Sequence, residues 1–163
     1  MNKSLETIKA EVYAPCNFKF SDFKPALESK EYSACTFKLN GLNIIYRDGK
    51  VTPKKAGQFV TFWKRIENKS IAPFHTIDEF DFFVVTVKSA NEIGQFVFPK
   101  SVLIRKGIIS TEHKEGKRAF RVYSPWDRPQ NKQAQRSQQW QTDYFYPVNK
   151  DTNLSAVKEL FKK

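Results

Sequence analysis

The chain has 163 residues, 40% of them hydrophobic and 15% aromatic, which is enough apolar material for a packed core and excludes an intrinsically disordered chain. Lysine and arginine number 28 against 17 acidic residues, a net charge of +11, so anionic partners are the first class to consider. No apolar run approaches the roughly 18 residues that cross a bilayer, and Glu6 and Glu11 stand where a signal peptide would be apolar, so a cytoplasmic protein without membrane insertion is expected.

Leu5, Ile8 and Val12 predict a short N-terminal helix ended by Pro15. Cys16 to Lys30 reads as an irregular stretch rich in phenylalanine and broken by Pro25. Asn40-Gly41, between Tyr32–Leu39 and Leu42–Arg47, is a hairpin signal, because both turn positions need positive φ. Thr52-Pro53 then reads as a helix start, since threonine caps free N–H groups and proline at the first position gives up only an unpartnered one. Phe59, Val60, Trp63 and Ile66 supply the apolar face of that helix and leave Lys64 and Arg65 toward water. Gly57 is the discordant residue, at a cost of about 1 kcal/mol relative to alanine.

Asn68 to Asp81 is loop-like and ends on Asp78, Glu79 and Asp81. Phe82 to Val87 is a strand buried on both faces, Ser89 to Gly94 a turn, and Gln95 to Phe98 the returning strand, stopped by Pro99. Ser101 to Lys106 forms a brief helical turn, and Ile108–Ser110 with Ala119–Tyr123 reads as a second hairpin with a charged turn. Lys132 to Trp140 is helix-compatible, and Leu154, Val157, Leu160 and Phe161 mark a final amphipathic helix with Asp151 as its cap. The sum is an α+β fold, a single domain over residues 1–163 with a central mixed sheet of about five strands flanked by helices.

The charge is concentrated in two blocks. Arg47 to Arg65 holds six bases and one acid, Lys100 to Arg121 seven bases and two acids, while Glu67 to Asp81 between them is net acidic. A basic patch of this kind is the footprint of a nucleic-acid binder, because each neutralised phosphate releases counterions. The candidate contacts are Arg47, Lys54, Lys55, Lys64, Arg65, Lys100, Lys114, Lys117, Arg118 and Arg121. Lys54 and Lys55 in the first turn of a helix face an adverse dipole, which a phosphate held there would offset; solvated surface lysines are the plainer reading. Trp63 has core spacing, and Trp126, in an extended segment beside Arg128, is the candidate for stacking a base.

Thr52-Pro53-Lys54-Lys55, Gly57-Gln58-Phe59-Val60, Trp63-Lys64-Arg65 and Gly94-Gln95-Phe96-Val97-Phe98-Pro99-Lys100 together resemble the MepB family of small bacterial proteins, as do Gly116 to Tyr123 and Gln139-Trp140. The resemblance runs from about Tyr32 to Trp140. It implies a gene beside a multidrug efflux pump and its repressor, and it brings no established enzymatic activity.

The catalytic alternative is a PD-(D/E)XK-type nuclease, in which an Asp opening one strand and an acid-x-Lys on the next hold Mg²⁺. Asp81 fits the first position, but Gln95 replaces the second carboxylate and Val97 the lysine, with Lys100 as a residue that could reach back. The site reads as degenerate, so neither catalysis nor a resident metal is expected; Mg²⁺ enters only with this alternative. Two cysteines and two histidines at no metal-ligand spacing make structural zinc an unsuitable reading as well. The expected function is phosphate-directed nucleic-acid binding, DNA or RNA, with an acidic protein partner linked to the efflux operon as the rival.

Overall fold

The computed structural model describes residues 1–67 and 70–163. The chain opens with helix α1 (Lys3–Ile8), capped by the Asn2 side chain on the Leu5 N–H, and continues into a π-helical turn over Lys9–Tyr13. Strands β1 (Phe20–Pro25), β2 (Cys35–Leu39), β3 (Leu42–Asp48) and the two-residue β4 (Lys50–Val51) follow. Next come β5 (Gln58–Thr61), β6 (Trp63–Ile66), β7 (Ser70–Pro73), β8 (Phe82–Lys88) and β9 (Ile93–Pro99). Helix α2 (Lys100–Arg105), β10 (Ala119–Val122), α3 (Lys132–Gln141), β11 (Phe145–Pro147) and α4 (Leu154–Leu160) complete the chain.

The main sheet has the order β1-β2-β3-β8-β9-β11, with β3 and β8 parallel and the other neighbours antiparallel. Side chains alternate across a strand, so the apolar run of β8 feeds two cores. Phe82 and Val84 join Tyr46, Val97 and the residues of α1 and α4 on one face. Phe83, Val85 and Val87 join Val60, Phe62, Val122, Phe96 and Phe98 on the other, where a three-stranded sheet of order β10-β5-β4 and helix α2 cover them.

Six strands stand where about five were expected, because the stretch read as irregular contributes β1, whose register on β2 shifts between Ser21 and Lys24. The Asn40-Gly41 hairpin forms as expected, with φ of 53° and 77° at its two turn residues. The helix expected from Thr52 does not form. Residues 58–66 are strands β5 and β6; Gln58, Val60 and Phe62 are buried at period two, and β5 pairs with β10 residue for residue. Of Phe59, Val60, Trp63 and Ile66 only Val60 is buried, because a strand alternates faces at every residue, and pairing with a strand some 60 residues away in the chain selects the extended form. Lys54 and Gly57 both have positive φ, 65° and 77°, which no helix tolerates.

Of the expected loop, Asn68 and Lys69 lie outside the described residues, and β7 pairs with β6. The expected second hairpin is replaced: β10 takes β5 as partner, while Ile108 only accepts the Lys117 N–H at 2.9 Å and Ser110 bridges His75. Helix α4 is capped by Asn153, whose side chain accepts the Ala156 N–H at 3.0 Å, and not by Asp151.

Gly41 and Gly57 share a φ of 77°, but a Cβ at Gly41 meets nothing within 4 Å whereas one at Gly57 lies 2.6 Å from the Tyr123 ring. Gly41→Ala should cost about 1 kcal/mol of backbone strain. Gly57→Ala adds overpacking and should cost about 3 kcal/mol or more. Urea denaturation of the two variants reads the difference, and equal losses would contradict the close packing at Tyr123.

Candidate functional site

Strand β10 has one edge on β5 and another facing α3. Arg118 C=O accepts the Phe62 N–H at 2.8 Å, so by antiparallel alternation the polar groups of Phe120 and Val122 also face β5 while those of Ala119, Arg121 and Tyr123 point toward α3. Gln141, at the end of α3 and 1% exposed, meets that edge with its side chain. Its Oε1 accepts the Tyr123 N–H at 2.7 Å and its Nε2 donates to the Arg121 C=O at 3.0 Å, so one amide replaces two strand bonds.

Between the strand and the helix lies a cleft of about 310 Å³ whose charged lining residues are Lys106, Lys117 and Arg121, with Tyr123, Ser137 and Trp140 among its other walls. Lys106 Nζ is 5.4 Å from the centre of the Trp140 ring, and Trp140 packs on Phe98 at 5.6 Å. The Arg121 guanidinium donates to Thr52 Oγ1 at 2.6 Å, to Ala56 C=O at 3.2 Å and to Gly57 C=O at 3.3 Å. The loop with exposed Lys54 and Lys55 is thereby tied to the strand that lines the cleft. The Lys114 ammonium lies over Gly107, one residue from Lys106. No acidic side chain lines the cleft among the described residues, so its positive potential is not offset locally.

The remaining predicted residues are elsewhere or already engaged. Lys64 is paired with Asp78 at 2.8 Å, and Lys100 donates to the Asp78 carbonyl while lying 5.2 Å from the Phe80 ring centre. Arg65 meets Glu28 at 3.3 Å and lies over Trp63 at 5.4 Å; exposed Arg118 is paired with Glu115 at 3.0 Å. Two expectations need correction. Arg47 is 5% exposed, held inside the sheet because β3 lies between β2 and β8. Its Nη1 donates to Tyr46 C=O at 2.9 Å, its Nε has no partner among the described residues, and burial lowers its pKa to about 10. Trp126 is half-buried edge-on against Phe145 at 5.6 Å and 77°, as a wall of the second core and not a free platform. Lys106 and Trp140 were missing from the predicted contacts. Lys106 belongs to the second basic block, but its partner ring is 34 positions further along the chain.

The nuclease candidates do not converge. Asp81 Oδ2 accepts the Asn43 N–H at 2.7 Å, and its carbonyl accepts the Lys100 N–H at 3.1 Å. Gln95 is five residues further along β9, roughly 17 Å away at strand rise, fully buried among tyrosines. Its Oε1 accepts from the Tyr13 hydroxyl at 2.9 Å and the Tyr146 hydroxyl at 2.5 Å, and its Nε2 donates to Thr86 Oγ1 at 3.0 Å. Tyr46 Oη, 2.6 Å from the same Thr86 oxygen, is 2.7 Å from Asp48 Oδ1. These positions do not fit Mg²⁺, and among the described residues no group of three or more His, Cys, Asp or Glu could hold a metal.

Burial drives the pKa of Tyr13, Tyr46 and Tyr146 upward and that of Cys35 up to about 12. The folded state keeps these groups neutral where the unfolded chain ionises them, so their stabilisation is whole below the unfolded values and is lost as pH rises through the folded ones. Arg47, with its pKa lowered, acts in the opposite direction above about pH 10. The net expectation is a loss of roughly 4 kcal/mol per pH unit once tyrosine in the unfolded chain ionises, near pH 10. Urea denaturation across pH 8 to 11.5 reads it, and stability that stays level to pH 11 would contradict the buried tyrosine network.

Among the described residues no helix is long and apolar enough to cross a membrane. Comparison with curated proteins found no match. A solved structure described as the crystal structure of MepB is similar over 93% of this chain and 100% of its own, at 35% identity and a TM-score of 0.79. The MepB-like family model matches residues 26–147, a span that begins just after β1 and runs through both walls of the cleft to β11, and the chain belongs to the MepB-like family.

Proposed function

We propose that the protein binds nucleic acid through the cleft between β10 and α3 and the loops beside it, by phosphate contacts that are largely independent of sequence, and without cleaving it. The observation that carries this reading is the lining of the cleft: Lys106, Lys117 and Arg121 with no acidic neighbour on its walls among the described residues. Lys54, Lys55 and Lys114 extend the same basic region through the Arg121 contacts and the Gly107 turn. Lys64, Arg65 and Lys100 are left out of it, because Lys64 is paired with Asp78, Arg65 with Glu28, and the Lys100 ammonium donates to the Asp78 carbonyl. Binding without hydrolysis is supported by the separation of Asp81 from Gln95 and by the bonds that both side chains already make.

Six cations in this region predict a slope of log K against log salt of about −5 on duplex and about −4 on single strands. Lys106→Gln with Lys117→Gln should make the single-strand slope shallower by about 1.4. Lys64→Gln, which removes a paired charge, should leave it unchanged. Fluorescence anisotropy of a labelled oligonucleotide over a salt series measures all three proteins. An unaltered slope in the double variant, or complete absence of binding by the parent protein, would remove the cleft from the account.

A further inference from the structure

The edge of β10 that faces α3 is closed at both ends and open in the middle. At one end the Lys117 N–H donates to Ile108 C=O at 2.9 Å; at the other the Gln141 amide takes the Arg121 C=O and the Tyr123 N–H. Between them the Ala119 N–H and C=O and the Arg121 N–H point into the cleft, and no partner meets them among the described residues. Backbone groups of this kind are obligatory hydrogen bonders, and a strand edge left unpaired is a template for a partner.

The open stretch exposes one full donor and acceptor pair, that of Ala119, and the single donor of Arg121. An added peptide strand gains affinity from a row of such pairs, and Gln141 on one side and Ile108 on the other shorten the row to Ala119 alone. A nucleobase needs only one donor next to one acceptor, which its hydrogen-bonding edges present side by side. The aromatic residues lining the same cleft are Phe120, Tyr123 and Trp140, and its cations are Lys106, Lys117 and Arg121. A ring surface for a base, a short polar edge and positive charge for the flanking phosphates are the elements by which single strands are held.

We propose that the cleft admits one unpaired base of a single-stranded nucleic acid, hydrogen-bonded at its edge by the Ala119 N–H and C=O while Lys106 and Lys117 meet the phosphates on either side. The proposal rests on the nucleic-acid reading above and adds to it a seat for one base against the edge of β10.

The test compares two labelled twelve-unit strands of equal charge, oligothymidylate and an abasic deoxyribose-phosphate strand, by fluorescence anisotropy at one salt concentration. The oligothymidylate should bind about tenfold more tightly or better, the range that stacking and edge bonding of a base supply. Equal affinity for the two strands would overturn the base site and leave phosphate binding standing; no affinity for either would overturn both. Ser137→Trp fills the cleft from the α3 side without altering charge and should bring the ratio of oligothymidylate to abasic affinity down to about one. A tenfold preference that persists in folded Ser137→Trp would place the base elsewhere and overturn the assignment. Ser137→Leu gives the same reading where the larger side chain prevents folding, and the abasic comparison on the parent protein decides the matter independently of both.

Discussion

The pairing of one glutamine side chain with a strand edge is the interaction on which the cleft depends. Gln141 ends α3 and is sealed from solvent, so its two bonds to Arg121 C=O and Tyr123 N–H are made where water cannot replace them. Leaving such buried groups unpaired costs about 1–3 kcal/mol each. That cost fixes the helix at one distance from β10, with Ser137 and Trp140 on the facing wall. The Arg121 side chain does the same from the other direction, satisfying two loop carbonyls and the Thr52 hydroxyl and holding the 52–57 loop beside the strand. Gly57 is required at that junction because the Tyr123 ring leaves no room for a side chain.

A net charge of +11 describes the whole surface poorly. Part of it is engaged inside the fold: Arg47 in the sheet interior, Lys64 on Asp78, Arg65 on Glu28 and Lys100 on the Asp78 carbonyl. Exposed ion pairs contribute little to stability, about 0 to 1 kcal/mol, but they do remove charge from what an approaching anion meets. Lys106, Lys117 and Arg121 line the wall of the cleft, where no acidic side chain stands beside them among the described residues. Local composition of the wall, more than the total, is what a phosphate backbone would sense.

Elements fixed by local chemistry were legible in the sequence. The Asn40-Gly41 turn, the run from Phe82 to Val87 and the helices near Ser101, Lys132 and Leu154 all form close to where spacing placed them. The stretch from Thr52 to Ile66 was not legible, since the helical spacing of Phe59, Val60, Trp63 and Ile66 competes with the alternation of Gln58, Val60 and Phe62, and the deciding partner, β10, is distant in the chain. The same limit applies to the site. The second basic block was visible, and Lys114, Lys117 and Arg121 come from it, but nothing local says that Lys106 meets Trp140 or that Arg47 is enclosed by neighbouring strands. That Gln95 is the wrong residue for a metal is legible in the sequence; that three tyrosines and a threonine build a hydrogen-bonded network around and beyond it is a property of the packed sheet.

The central claim is that the ligand lies against β10 and α3 and nowhere else on the basic surface. Backbone amide and indole chemical shifts of isotopically labelled protein, followed by NMR during titration with a short single-stranded oligonucleotide, test it residue by residue. The account predicts the largest changes at Lys106, Lys117, Ala119, Arg121 and the Trp140 indole, with Lys64 and the β6–β7 ribbon unmoved. Changes confined to that ribbon, or to Lys100 and Asp81, would contradict it.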